Sequence, residues 1–175
     1  QSACNVLYAN NAVYLVMERR TRFNCPGWYV SEIAPVLMKG SVDTDLTRVE
    51  NWTFASELSF YELEASYGSI PVPFFNPGET ALGRSMAPPG WLESNVVQFQ
   101  DPNHIWHDPD GRTFHMWMRA HTGGTGLACV AKVVESADGQ MTTMLEDTPA
   151  GDPFLYVPCP GGQMRYHILY DEPTK

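Results

Sequence analysis

The feature that most constrains this chain is a series of short β-type runs, separated by strong turn signals, between residues 96 and 147. Asp108-Pro109-Asp110-Gly111 and Ala137-Asp138-Gly139-Gln140 are tight-turn sequences, with Pro presetting φ and Gly supplying the left-handed position. Around them, Asn103 to His107, Arg112 to Arg119, Leu127 to Glu135 and Met141 to Leu145 read as four strands, and the Gly-rich stretch His121 to Gly126 reads as the loop between the second and third. With 14 Gly and 14 Pro in 175 residues, many short segments joined by turns fit better than a few long helices.

Four antiparallel strands in about 45 residues is the size of one β-propeller blade, so the expected fold is all-β and built from such blades. Part of the unit recurs on either side. Near the start, Cys4 to Tyr8, a turn at Ala9-Asn10-Asn11, Val13 to Arg19, Ile33 to Val42 and Trp52 to Ser56 predict a looser blade over about residues 3–56. Near the end, Gln163 to Leu169 reads as the first strand of a further blade over 160–175, entering a turn at Tyr170-Asp171-Glu172-Pro173. Between the blades, 57–95 has a different composition, with prolines at 71, 73, 77, 88 and 89 that forbid a long helix. It reads as an extended insertion with a short helical turn near Tyr61 to Ala65. About two and a half blades cannot close a ring, so the expectation is an incomplete portion of a five- or six-bladed propeller, completed by a missing remainder or other chains. An all-β sandwich is the alternative.

The formal net charge of -9 argues against nucleic acid as a partner, because phosphate binding needs a basic surface. No apolar run is long enough to cross a membrane, and nothing resembles a secretory signal. Residue 1 is Gln, which fits either a removed leader or a start inside a longer chain. Cys4, Cys25, Cys129 and Cys159 form no CxxC pair, so zinc-finger and thioredoxin readings have no support. An even count permits two disulfides, but Cys129 lies in the apolar run LACVAKVV and reads as a buried free thiol. Asn51-Trp52-Thr53 matches a glycosylation sequon, a pattern too short to carry weight beside a Trp that reads as packing.

Strand order in a four-stranded blade sorts polar residues onto two faces. The entry to strand one and the loop from strand two to three share a face, which predicts that Asp101, His104, Arg119 and His121 gather there. Gln163, Arg165 and His167 enter the next blade on that face, and Glu18, Arg19, Arg20 and Arg22 join them from the first blade, with Trp28 nearby as a stacking platform. Carboxylates, Arg and an aromatic platform are the inventory of a sugar site. Asp101, His104 and Glu93 are therefore the candidate catalytic residues. Arg19, Trp28, Arg119, His121, Gln163, Arg165 and His167 are the candidate substrate contacts. Asp before Pro also commonly caps a turn, and Glu93 in WLESN also reads as an exposed loop residue. The HTGGTG stretch opens no helix and lacks a P-loop Lys, so it reads as a rim loop.

The run Gln100-Asp101-Pro102-Asn103-His104 through Gly111 resembles the first-blade signature of the invertase-type, five-bladed glycoside hydrolases, with His104 where those enzymes carry Gly. More broadly, PVLMKGSVDTDLTRVENWTFAS, FHMWMRAH and GGQMRYHILYDE are similar to sialidase-like propeller proteins, and Asp108 to Phe114 resembles a shortened Asp-box. The resemblance implies a carbohydrate substrate, a secreted or periplasmic glycosidase, and Asp101 as nucleophile. It calls for no cofactor, although a structural Ca2+ at the ring centre is compatible with such folds. Two other readings stay open on the same surface: a polysaccharide lyase with a His base and Arg on a uronate, and a non-catalytic propeller binding glycans or proteins.

Overall fold

Two asparagines with positive φ, Asn10 at 51° and Asn11 at 55°, make the two-residue turn that starts the first sheet. They join β1 (Val6–Ala9) to β2 (Ala12–Arg20), which continues antiparallel into β3 (Ile33–Ser41) and β4 (Trp52–Phe54). The result is a four-stranded meander in the order β1-β2-β3-β4, as the loose first unit predicts. The computed structural model describes residues 5–67, 89–121, 126–160 and 165–169. A helix, α1 (Phe60–Tyr67), follows the meander close to where a helical turn is expected. Its start is closed by Ser59 and Glu62, the Glu carboxylate accepting both the Ser59 N–H and hydroxyl.

The second meander comprises β5 (Gly90–Val97), β6 (Thr113–His121), β7 (Leu127–Glu135) and β8 (Met141–Met144). Two small pieces follow: β9 (Glu146–Asp147) pairs β10 (Pro153–Phe154), and β11 (Tyr156–Pro158) pairs the start of β7. The outer edge of β7 is thus shared, with β8 on residues 132–135 and β11 on 127–129.

This corrects the first strand of the second unit. Residues 103–107 are a chain of turns, and the strand paired to β6 is β5, drawn from the end of the expected insertion. The physical reason is local satisfaction of the backbone. The Asp101 carboxylate accepts the Asn103 N–H at 2.9 Å, while the carbonyls of Asp101 and His104 accept the N–H groups of His104 and His107. That leaves little for a ladder.

A second correction concerns the end of the chain. Residues 165–169 are not a laddered strand. They lie beside β5, held by side-chain amides: Asn95 bonds the Tyr166 carbonyl and the Ile168 N–H, and Asn5 bonds the Ile168 carbonyl together with both backbone groups of Val96.

The core lies between the meanders. Tyr14, Val16 and Leu37 of the first face Trp91, Val96, Phe114, Met116, Met118 and Cys129 of the second, with Phe60 and Leu63 of α1 packed at the margin. Burying each large side chain is worth roughly 1.5–3 kcal/mol, and this interface is what fixes the relative position of the sheets. Gly90 is part of that fit, since a Cβ there would stand 2.5 Å from the Val30 carbonyl oxygen. Neither sheet closes on itself, and among the described residues the two do not form a ring. No described helix is long and apolar enough to cross a membrane. Cys25, Cys129 and Cys159 are free thiols.

Candidate functional site

The two sheets share a common orientation. At one end lie the β2–β3 connection, the start of β5 and the close of β6; at the other lie the Asn10-Asn11 turn and the 98–112 connection. The second end is tied by Asn10, whose amide donates to the Gly111 carbonyl at 2.7 Å.

The first end gathers the chemistry. Strand alternation continues the inner face of β2 from Tyr14 and Val16 to Glu18, so a carboxyl group sits at the margin of an apolar face. One Glu18 oxygen accepts the backbone N–H of Glu93, and the other is buried without a partner among the described residues. Burial pushes the Glu18 carboxyl above its ordinary value and the neighbouring Glu93 charge adds to this, while the Glu93 N–H and the Arg165 charge oppose it.

Glu93 owes its position to a β-bulge. The β5–β6 register shifts between Leu92 and Asn95, and Glu93 takes φ +58°, left-handed backbone that a non-Gly residue adopts at a cost on the order of 1 kcal/mol. Arg119 then clamps the side chain, with Nε on Oε2 at 2.6 Å and Nη2 on Oε1 at 3.3 Å. Next to Arg119 on its strand, His121 buries Nε2 without a partner among the described residues. Burial holds its imidazole below the usual histidine range, and the Arg119 charge adds to that, so His121 is neutral at pH 7.

Trp28 packs edge-on against His121, ring centroids 4.5 Å apart, and keeps its remaining surface open. The connection carrying it is organised around Glu32. This buried carboxylate accepts the N–H groups of Asn24 and Cys25 at 2.8 Å and pairs with Arg20 at 2.7 Å. Burial opposes its ionised form, but Arg20 and the two N–H groups outweigh burial and hold the carboxyl low. Arg20 in turn lies over the rings of Tyr29 and Phe23, and Arg22 lies over Tyr61.

Of the residues expected from the sequence, Glu93, Arg119, His121, Trp28 and Arg165 converge here. Arg19 is at the same end but alternates to the other side of β2 and pairs with Glu57 at 2.7 Å. His167 is exposed on the segment beside β5, and Gln163 lies outside the described residues. Asp101 and His104 do not join the group. They sit on the β5–β6 connection at the opposite end, because β5 rather than 103–107 is the first strand. Asp101 is exposed and spends its carboxylate on Asn103, which lowers its pKa, and His104 stacks on Phe99 at 4.1 Å.

Glu18 is placed on this face by the sequence but not among the candidate catalytic residues. The signal for that role is its place in the i, i+2 series of Tyr14 and Val16, which carries a half-buried carboxylate onto the core-facing side of β2. Among the described residues no group of three or more His, Cys, Asp or Glu is placed to hold a metal ion. The far end carries an open polar depression of about 480 Å³ beside Lys39, Thr53 and Asp138. No protein-family model, curated protein or solved structure matches the chain.

Proposed function

We propose that this chain is part of a carbohydrate-active enzyme of the glycoside hydrolase type, its two meanders being adjacent blades of a β-propeller and its cleft the end that carries Glu18 and Glu93. One observation carries this reading: a half-buried carboxyl with an unpartnered oxygen and a raised pKa accepts the backbone N–H of Glu93, a residue whose own carboxylate is held in place by strained backbone and an Arg clamp. Glycoside hydrolysis needs that division of labour, one group retaining a proton to give to the leaving oxygen and the other serving as nucleophile or base. Glu18 fits the acid. Glu93 fits the nucleophile or base, with its orientation fixed by Arg119. The exposed part of Trp28 offers a platform for a sugar ring, and the His121 Nε2 lone pair can accept a hydroxyl hydrogen bond. The substrate is a glycan or polysaccharide, met in a secreted or periplasmic setting.

A second reading has its own support in the neutral, unpartnered His121, which is a ready base for β-elimination from a uronate. Arg119, however, is already engaged by Glu93, which weakens it as the partner of a uronate carboxylate.

The test is a polysaccharide panel run on the wild type and on Glu18→Gln, Glu93→Gln and Asp101→Ala. New reducing ends without unsaturated uronate absorbance, lost in both Gln variants and kept in Asp101→Ala, support hydrolysis. Aryl glycosides with acidic leaving groups need no proton donor, so they should rescue Glu18→Gln and not Glu93→Gln. Unsaturated products replace this reading with the lyase. Binding without turnover replaces it with a glycan-binding module.

A further inference from the structure

At the opposite end from the cleft, His115 of β6 is fully buried and belongs to none of the chemistry above. Its Nε2 meets the Glu146 carboxylate at 2.6 Å, and the other oxygen of Glu146 is bound by Lys132 at 2.8 Å. The remaining ring nitrogen, Nδ1, is buried without a partner among the described residues. What covers it is the 98–112 connection. Trp106 stacks on the imidazole at 4.8 Å with the ring planes 15° apart, Phe99 meets it edge-on at 5.1 Å, and Phe154 of β10 backs Trp106.

We propose that the 98–112 connection is an acid-released clamp, closed over neutral His115 by Trp106 and Phe99 and opened when that imidazole takes up a second proton. With Nε2–H given to Glu146, the Nδ1 lone pair faces aromatic rings at modest cost. A proton there creates a buried donor with no acceptor and a cation cut off from water, a cost that its attraction to the Trp106 face offsets only in part. The ionisable neighbours do not cancel this. The Glu146 charge favours the imidazolium but is shared with Lys132 of β7, and the cation of Lys132 and any charge on His104 oppose it. Burial is the dominant influence and holds the His115 pKa below its ordinary value.

Opening the connection relieves the conflict by letting water reach Nδ1. The part over His115 can move as a unit because it carries its own internal bonds, the Asp101 turn and the His107 ring to the Phe99 carbonyl. The Asp108 carboxylate on Thr113 of β6, the Asn10 amide on the Gly111 carbonyl and the Glu135 N–H on the Arg112 carbonyl hold its far end to the sheets as a hinge.

Hydrogen exchange by mass spectrometry at pH 7 and pH 5, corrected for intrinsic rates, tests this on the whole chain. Protection of 98–112 should fall by up to about tenfold per pH unit as the pH drops below the ordinary histidine pKa of the opened state, and level off below the lowered pKa of the closed one, as release of a one-proton block requires. β2, β3, β6 and β7 should keep theirs. In His115→Phe, which keeps the stacking and cannot titrate, 98–112 should stay protected at pH 5. Equal protection of 98–112 at both pH values, loss in step with the sheets, or the same loss in His115→Phe each overturns the clamp. If His115→Phe does not fold, the wild-type comparison decides.

Discussion

The backbone N–H of Glu93 points into the carboxylate of Glu18, so a strained residue of one sheet is bonded to the margin of the other sheet's core face. That contact makes the two acids a unit without any bond between their side chains.

Glu18→Gln should raise stability while removing turnover. The folded state holds this carboxyl above its ordinary value, so the unfolded chain loses its proton first as pH rises. The associated cost is absent below the ordinary carboxyl pKa and grows as pH climbs through the folded one. Gln keeps the acceptor for the Glu93 N–H and has no charge to bury. Urea denaturation should show a gain of roughly 0.5–1 kcal/mol at pH 8 and almost none at pH 4. A gain independent of pH would count against the assignment.

Glu93 and Arg119 should be strongly coupled. Arg119→Met leaves a half-buried carboxylate unpaired, and Glu93→Gly relieves the positive φ but strands the guanidinium. The double variant removes both charges and the strain, and should be more stable than either single change. A double-mutant cycle in urea should return a coupling of about 1–2 kcal/mol. Additive effects would mean that the pair is only a surface contact.

Gly90→Ala should cost about 2–4 kcal/mol, since the new methyl meets main chain at Val30 that no rotamer change can move. Guanidinium denaturation measures this directly. Gly139→Ala, which meets nothing within 4 Å but sits at φ +84°, separates backbone strain from crowding and should cost less.

Glu32→Gln should loosen the connection that presents Trp28. Asn24 and Cys25 lose an ionised acceptor and Arg20 loses its partner, so amide exchange at 24 and 25 should quicken roughly tenfold while β6 and β7 are unaffected. Under the hydrolase reading, KM should rise more than kcat falls, because Trp28 binds the sugar without reacting.

Much of the fold was legible before any coordinates. β-type runs between turn signals identified β2, β3, β6 and β7, and the Asn10-Asn11 turn was readable because asparagine tolerates left-handed backbone. β5 was not legible, and the bulge explains why. Trp91 and Val96 both face the core although they are five residues apart, which breaks the period of two that marks a strand. Asn103 to His107 imitated a strand because Trp106 is apolar for a tertiary reason, its stacking on His115.

Turn chemistry and side-chain periodicity are local properties, and from them the sequence by itself determined an antiparallel chain of short strands, a helical turn after the first sheet, and an end rich in Arg and Glu. Which carboxylates meet was decided only in three dimensions. Asp101 and Glu93 are eight residues apart and fall at opposite ends of β5, whereas Glu18 and Glu93, 75 apart, touch. A strand carries its residues about 3.3 Å apart along a line, so assigning the wrong stretch to the ladder moves an acid from one end of the sheet to the other. The packing of Tyr14, Phe114 and Trp91 between the two sheets, rather than any motif, brings Glu18 to Glu93.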